Sequence, residues 1–506
     1  MKSEPNIDFR ITMLDEEPVP LPTGESQRPS IPSSDYDEQY RPQFHFTTPQ
    51  GWMNDPTGLL YYQGEYHLFY LWNPDLRGWG QHWMHAVSKD LVHWRHLPIA
   101  LYSDKKLGMC ISGSAVVDGN NTSGFQTGQE LVFVAFPTQF DKEIQVVSLA
   151  YSNDRGRTWT KYDKNPILNI NTRHFRDAKV FWYAPAKKWI MALCRGYHPP
   201  GEMYASINLK DWTFLGPTPN GELPDMFELV VETNPDRKRW VFTAGDYNTI
   251  LPDGSKVTDG SKYFIGSFNG KAFKTESGPH KFGGKGGNFF AGYTFNNILP
   301  SDGRRIFMAW KWVRDQERFG PWSGGIQTIP VVLILRDVPG TGLRMFINPV
   351  KELQSLRGEH FNFADQEIGE GNSLLSCNGI YGELMEIIAE FQLGSATEFG
   401  LHFRKGPASQ CAVGYDVAAQ AVIINRSDGK RVLTQALTPD GGNLIKWHIF
   451  IDRSVVDVFS NGGRTWNCNF FKADPNNLDM ELYAKGGTVK LITMNLWKLK
   501  AAWDMI

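Results

Sequence analysis

From Pro42 onward the chain alternates short apolar or aromatic runs with polar turns, and long amphipathic helical stretches are hard to find. The run Gly58-Leu-Leu-Tyr-Tyr62, then Gln63-Gly64, then Glu65-Tyr-His-Leu-Phe-Tyr70 predicts two strands joined by a two-residue hairpin. A weak repeat follows. Ser88-Lys-Asp-Leu-Val-His-Trp94 recurs as Ser152-Asn-Asp-Arg-Gly-Arg-Thr-Trp159 and as Ser206-Ile-Asn-Leu-Lys-Asp-Trp212, with Gly266-Ser-Phe-Asn-Gly-Lys-Ala-Phe273 as a looser fourth copy. The closing aromatics fall about sixty residues apart, a spacing with room for several strands per unit, as in propeller blades. Four marked units between residues 42 and 345 leave room for a fifth. Recurrence by chance in a Trp-rich β-protein is the plainer explanation that the structure has to exclude.

After Ile347-Asn-Pro-Val-Lys-Glu-Leu-Gln-Ser-Leu-Arg357 the pattern becomes strict alternation, as in His448-Ile-Phe-Ile-Asp-Arg-Ser-Val-Val-Asp-Val-Phe459 followed by Ser460-Asn-Gly-Gly463. Such alternation with turn signals predicts a β-sandwich. The reading is therefore all-β: a Pro-rich, poorly structured lead-in over 1–41, a bladed region over 42–345, a linker over 346–357 and a sandwich over 358–506. With 506 residues, more than one core is expected.

Composition agrees and narrows the partners. The chain has 17 Trp, 18 Tyr and 32 Phe beside 49 Gly and 30 Pro, a mixture suited to many short strands and turns. Most of the Trp belong to core packing; a minority could serve as platforms for the apolar face of a sugar. The formal net charge is −2, which leaves no basic footprint for nucleic acid and no polybasic membrane patch. Five scattered cysteines without a Cys-x-x-Cys pair argue against a disulfide framework and against a zinc site. The first residues show no apolar signal region, and no apolar run reaches membrane-spanning length, so the expected chain is soluble, cytoplasmic or secreted and written without its signal. Sequons at Asn120, Asn121 and Asn425 matter only in a secretory compartment.

Three acids stand in marked contexts. Asp55 lies in Trp52-Met-Asn-Asp-Pro-Thr-Gly58, Asp177 in Phe175-Arg-Asp-Ala-Lys-Val-Phe-Trp182, and Glu222 in Gly221-Glu-Leu-Pro-Asp-Met-Phe-Glu228. Each has a bland local explanation. Asp55 reads as an Asp-Pro turn initiator and Asp177 as half of an Arg–Asp pair, while Asp225 and Glu228 compete with Glu222.

Taken in order, the three segments resemble the motif set of glycoside hydrolase family 32, the invertases, inulinases, levanases and fructosyltransferases. Phe69-Tyr-Leu-Trp-Asn-Pro74, Trp79-Gly80, Trp83-Met-His-Ala-Val-Ser88 and Ser112-Gly-Ser114 follow in the family's order, and the Ile-Asp-Arg-Ser segment at 451–454 resembles its C-terminal module. The resemblance implies a five-bladed β-propeller followed by a β-sandwich. It also implies a retaining β-fructofuranosidase, with Asp55 as nucleophile, Glu222 as acid/base and Asp177 as transition-state stabiliser. Asn54, Trp79, Ser112 and Arg176 would line the fructose pocket. Retention requires the two carboxyls about 5–5.5 Å apart, with one ionised and one protonated. Neither a metal nor an organic cofactor is implied. The partner is a small-molecule or oligosaccharide fructoside, with a homodimer through the sandwich as an open option.

Several positions depart from the family's pattern: Thr57, Leu71, Met84, Ile111, Ala178, Gly221, Leu223 and the Asn288-Phe-Phe290 run. Gly221 in place of Trp suggests a widened or reshaped acceptor side, which would favour transfer to sugars or a non-sucrose substrate. Two other readings compete with hydrolysis by retention. One is a catalytically silent fructan-binding homologue; the other is a five-bladed inverting arabinosidase or xylosidase, whose carboxyls stand farther apart, at about 6.5–9.5 Å.

Overall fold

A computed structural model of the chain describes residues 34–74, 81–104, 106–141, 143–196, 199–246, 260–283, 289–311, 313, 320–370, 374–425, 429, 431–441 and 443–503. Nearly all regular structure among them is strand, and no helix is long and apolar enough to cross a membrane. Five antiparallel blades come first. Their first strands are Trp52–Tyr62, Met109–Asp118, Arg176–Tyr183, Glu222–Val231 and Phe290–Thr294. Each first strand neighbours the next, and Phe290–Thr294 returns to lie beside Trp52–Tyr62, so the ring is closed. A parallel bridge from Leu60 to Asn296 marks the closure. The fourth and fifth blades are further joined by one parallel pairing, Val231 with Leu335. A ring of this kind leaves no long sheet edge exposed to pairing.

The repeat read in the sequence is the turn between the third and fourth strands of a blade. In the first blade Ser88 Oγ donates to Asp90 Oδ1 at 3.0 Å, and the Trp94 indole N–H donates to the Leu91 carbonyl at 3.0 Å. Ser152 and Asp154 with Trp159, and Ser206 and Asn208 with Trp212, repeat the arrangement in the second and third. The looser fourth copy keeps only the Asn269 side chain, which caps the N–H groups of Lys271 and Ala272. These side chains satisfy turn N–H groups that a strand ladder cannot reach. Between blades the apolar faces meet directly. Leu60, Phe69 and Trp83 meet Val117 and Phe133, while Val116 and Val134 meet Val180 and Trp189.

Two further sheets form the sandwich. Six strands run in the order Arg357–Ile368, Val489–Leu499, Leu384–Gln392, Leu444–Asp452, Val455–Ser460 and Thr465–Phe470. The second sheet has five, Arg431–Ala436, Ala421–Asn425, Cys411–Asp416, Glu398–Lys405 and Asp479–Lys485. Their facing residues, among them Phe391, Phe399, Trp447 and Leu482, form one core. None of the five cysteines, all among the described residues, forms a disulfide.

The sandwich is fastened to the propeller by apolar stacking and by one buried charged cluster. The Phe289 and Trp466 rings stand 4.4 Å apart. His45 is fully buried between Asp452, 2.7 Å from its Nδ1, and Asp457, 2.7 Å from its Nε2. Burial disfavours a charged imidazole, yet the hydrogen bonds with Asp452, Asp457 and Cys468 raise its pKa well above the ordinary histidine value. Asp452 also accepts the backbone N–H groups of Gln43, Phe44 and His45. Packing begins ahead of residue 42, where order was expected to start. Tyr36 stacks on Trp503 at 4.2 Å, and Arg41, fully buried, donates to the Thr48 and Pro49 carbonyls. The Pro-rich composition of that stretch hid it, because its partners are distant in sequence. Residues 1–33 of the expected lead-in lie outside the described residues.

Candidate active site

All five inner strands carry a register shift near their starts, and the predicted site residues among the described ones sit in or beside these bulges. On the first strand the shift lies between Met53 and Pro56, enclosing Asn54 and Asp55. On the second it lies between Ile111 and Gly113, enclosing Ser112. On the third it lies between Arg176 and Lys179, enclosing Asp177, and on the fourth between Glu222 and Asp225. The fifth has its shift between Phe290 and Gly292. A bulge inserts a residue, breaks the ladder locally and re-aims a side chain. Asp177, Leu223 and Ala291 accordingly have φ of 65°, 44° and 53°, in the left-handed region that L-residues rarely adopt.

Hydrogen bonds then draw the bulges together. Ser112 Oγ donates to Asp55 Oδ2 at 2.6 Å, linking the first and second blades. Arg176 donates through Nη2 to Glu222 Oε1, and its Nε lies 3.6 Å from Asp177 Oδ2, so one guanidinium touches two of the three acids. Leu223 N–H donates to Asp177 Oδ2 at 3.2 Å, and Asp177 N–H donates to Thr138 Oγ1 at 2.9 Å. Arg176 is buried with only 8% exposure, and burial opposes its charge. Cys194, Glu222 and Asp177 around it raise its pKa above the usual arginine value on balance. Burial lifts the Cys194 thiol to about 12. Burial, then the Arg176 charge, lowers the pKa of His174, whose Nδ1 lies 3.2 Å from Arg176 Nη1.

Tyr293 reports the centre of the cluster. Burial first, then the charges of Asp177, Asp225 and Asp55, push its phenol well above the ordinary value. It stays a neutral donor, and its hydroxyl donates to the Asp177 carbonyl at 3.1 Å.

The competing acids of the Glu222 segment separate cleanly. Asp225 is fully buried, accepts the Thr294 N–H at 2.6 Å and lies 3.4 Å from Lys179 Nζ, which makes it a structural partner under the site. Glu228 is exposed on the outer part of the strand, 3.5 Å from Lys238. Trp79 and Asn288 lie outside the described residues.

The departures from the family pattern also find their places. Thr57 is fully buried; its hydroxyl donates to the Gly113 carbonyl at 2.6 Å and accepts the Gly113 N–H at 3.0 Å. Leu71 lies in the apolar cluster with Trp83 and Cys110, and Met84 is in the core. Gly221 leaves no open space at its own Cβ position. A Cβ there would stand 2.5 Å from Ala244 Cβ and 2.7 Å from the Gly245 carbonyl, so the neighbouring strand closes the gap.

Sequence reasoning passed over Thr138, Gln145, Tyr293 and Gln327. Gln145 Oε1 accepts from the Phe175 N–H and from Arg176, and Gln327 Nε2 donates to the Asn54 carbonyl at 2.8 Å. None lies near one of the three site acids in sequence, so no local signal could have found them.

Comparison with known proteins identifies the family. The sequence model of the glycosyl hydrolases family 32 N-terminal domain matches residues 45–346, and that of the family's C-terminal region matches residues 352–498. A levanase of Bacillus subtilis is 42% identical over 500 residues, covering 93% of this chain and 72% of the relative. An extracellular exo-inulinase of Aspergillus awamori is 30% identical over 525 residues, covering 93% of this chain and 96% of the relative. The crystal structure of exo-inulinase from Aspergillus awamori superposes with a TM-score of 0.81 at 28% identity, over 93% of this chain and 100% of that one. With both family regions matched in order over most of its length, the chain belongs to glycosyl hydrolase family 32.

Proposed function

We propose that the protein cleaves β-fructofuranosidic bonds with retention, through a covalent fructosyl-enzyme. Asp55 attacks the anomeric carbon as the bond to the leaving oxygen breaks, and Glu222 protonates that oxygen. Glu222 then deprotonates a water, which attacks the same carbon and releases Asp55. Asp177 and Arg176 hold fructosyl hydroxyls while positive charge develops on the ring, and Asn54, Ser112 and Trp79 complete the pocket. No step draws on a metal or an organic cofactor. The catalytic unit is residues 42–345, the linker 346–357 and the sandwich 358–506.

One observation carries this reading. Asp55, Asp177 and Glu222 come from three different blades, each at a bulged strand start. Arg176 and the Leu223 amide join Asp177 to Glu222, Ser112 holds Asp55, and the charges of Asp55 and Asp177 both act on Tyr293. The names of the relatives, levanase and exo-inulinase, favour fructan as substrate. Neither a silent binding homologue nor an inverting pentosidase is favoured by this company.

Assays on levan, inulin and sucrose, with wild type beside Asp55→Asn, test the proposal. We expect wild type to release fructose and the variant to lose about 10⁴-fold or more in kcat. NMR of the first-formed product should show the β-anomer; an inverted product would sink the mechanism. Concentrated sucrose addresses transfer, since glucose and fructose in equal amounts without oligosaccharide would mean plain hydrolysis. Dimerisation, if it occurs, would use the exposed edge strand Arg357–Ile368, and size-exclusion chromatography decides it.

A further inference from the structure

A second buried charged pair lies just past the bulges of the third and fourth blades and shares Tyr293 with the site acids. Lys179 is 2% exposed, its Nζ donates to the Thr294 carbonyl at 2.7 Å, and it stands 3.4 Å from Asp225 Oδ2. The same carboxylate oxygen accepts the Thr294 N–H at 2.6 Å. The ammonium also lies 5.2 Å from the centre of the Tyr293 ring, whose hydroxyl holds the Asp177 carbonyl. Lys179, Asp225 and Thr294 come from the third, fourth and fifth blades. Lys179 and Asp225 are the first residues to regain regular pairing after the bulges that hold Asp177 and follow Glu222.

A buried ion pair is a poor way to gain stability, because desolvating two charges offsets their attraction, and an apolar pair of similar size often does as well. Its position explains it better. The pair closes the two bulges from below and places fixed charges under the site carboxylates.

We infer that the Lys179–Asp225 pair is a positioning device for this site: it locks the strands carrying Asp177 and Glu222 and sets the field in which the site acids ionise. This rests on the catalytic reading above. The charged and titratable groups facing the pair are Tyr293 from the fifth blade's first strand and Arg305 from its second, with Glu228 acting on Arg305 in turn. Those facing the acids are Arg176, His174, Cys194 and Tyr293.

The test uses the pH dependence of kcat/KM of the full chain, on whichever fructoside wild type cleaves best. Lys179→Met leaves a carboxylate under the site, which opposes ionisation of the acids, so the acidic limb should move up by about half to one pH unit. Asp225→Asn leaves the ammonium unopposed and should move the limb down by a similar amount. In Lys179→Met/Asp225→Asn the limb should return towards wild type, while kcat stays roughly tenfold or more below it because the clamp is gone, with KM little changed. A merely structural pair would not give shifts of opposite sign. Limbs that stay in place, or that move in the same direction in both single variants, overturn the inference. Asp225→Asn carries the test if Lys179→Met does not fold. A wild type inert on levan, inulin and sucrose would remove the catalytic reading itself, whereas an active wild type with unmoved limbs removes only the role of the pair.

Discussion

The Ser112 hydroxyl donates to the Asp55 carboxylate at 2.6 Å, a charge-assisted hydrogen bond across two blades. Removing it in Ser112→Ala should lower kcat/KM about 10- to 100-fold, since hydrogen bonds to charged groups contribute about 1.5–3 kcal/mol. Steady-state kinetics beside Asp55→Asn would show it, and an unchanged kcat/KM would mean that Asp55 is held by other contacts. At this scale the sequence was ambiguous. An Asp before Pro and an Arg beside an Asp are common in turns and surface pairs, and the Arg176–Asp177 contact at 3.6 Å does exist here. It is the second bond of Arg176, to Glu222 forty-six residues away, that distinguishes this pair from a surface one. That bond has no local signature.

Along single elements, the bulges are what place the chemistry. Regular alternation would send neighbouring side chains to opposite faces, whereas an inserted residue lets Asn54 and Asp55, or Asp177 and Lys179, serve different layers of one site. The fourth strand also depends on Gly221, whose φ of 135° and close contact with Ala244 leave no room for a side chain. Gly221→Ala should therefore destabilise the protein by about 1–3 kcal/mol and lower kcat by displacing Glu222, as read by urea unfolding and kinetics together. A variant with wild-type stability would show that the strand yields at little cost. Hairpins and the Ser-x-Asp turns were legible because their signals are local: turn residues bracketed by apolar runs. Bulges were not, since they depend on which strand lies alongside.

For the molecule as a whole, His45 joins the two parts through Asp452 and Asp457, each 2.7 Å away and fully buried. Replacement by Leu strands two buried carboxylates, which should cost about 3–5 kcal/mol and lower the melting temperature. The pKa of His45 is higher folded than unfolded, so the clamp is at full strength below the unfolded value of about 6.5. Its contribution fades as pH rises through the raised folded value. Thermal unfolding of wild type and His45→Leu at several pH values checks this: the gap between them should narrow on the alkaline side, and a constant gap would count against a charged imidazole. By itself the sequence determined the all-β class, the blade repeat, the change to strict alternation near residue 358 and the three acids in their motifs. These rest on local turn chemistry, on period-two patterning and on ordered motifs that survive without coordinates. Only the tertiary structure showed Asp225 buried beside Lys179 and Glu228 exposed, filled the space beside Gly221, and brought Tyr293 to Asp177. Each of those depends on strands from different blades coming within a few ångströms, and no local pattern encodes that approach.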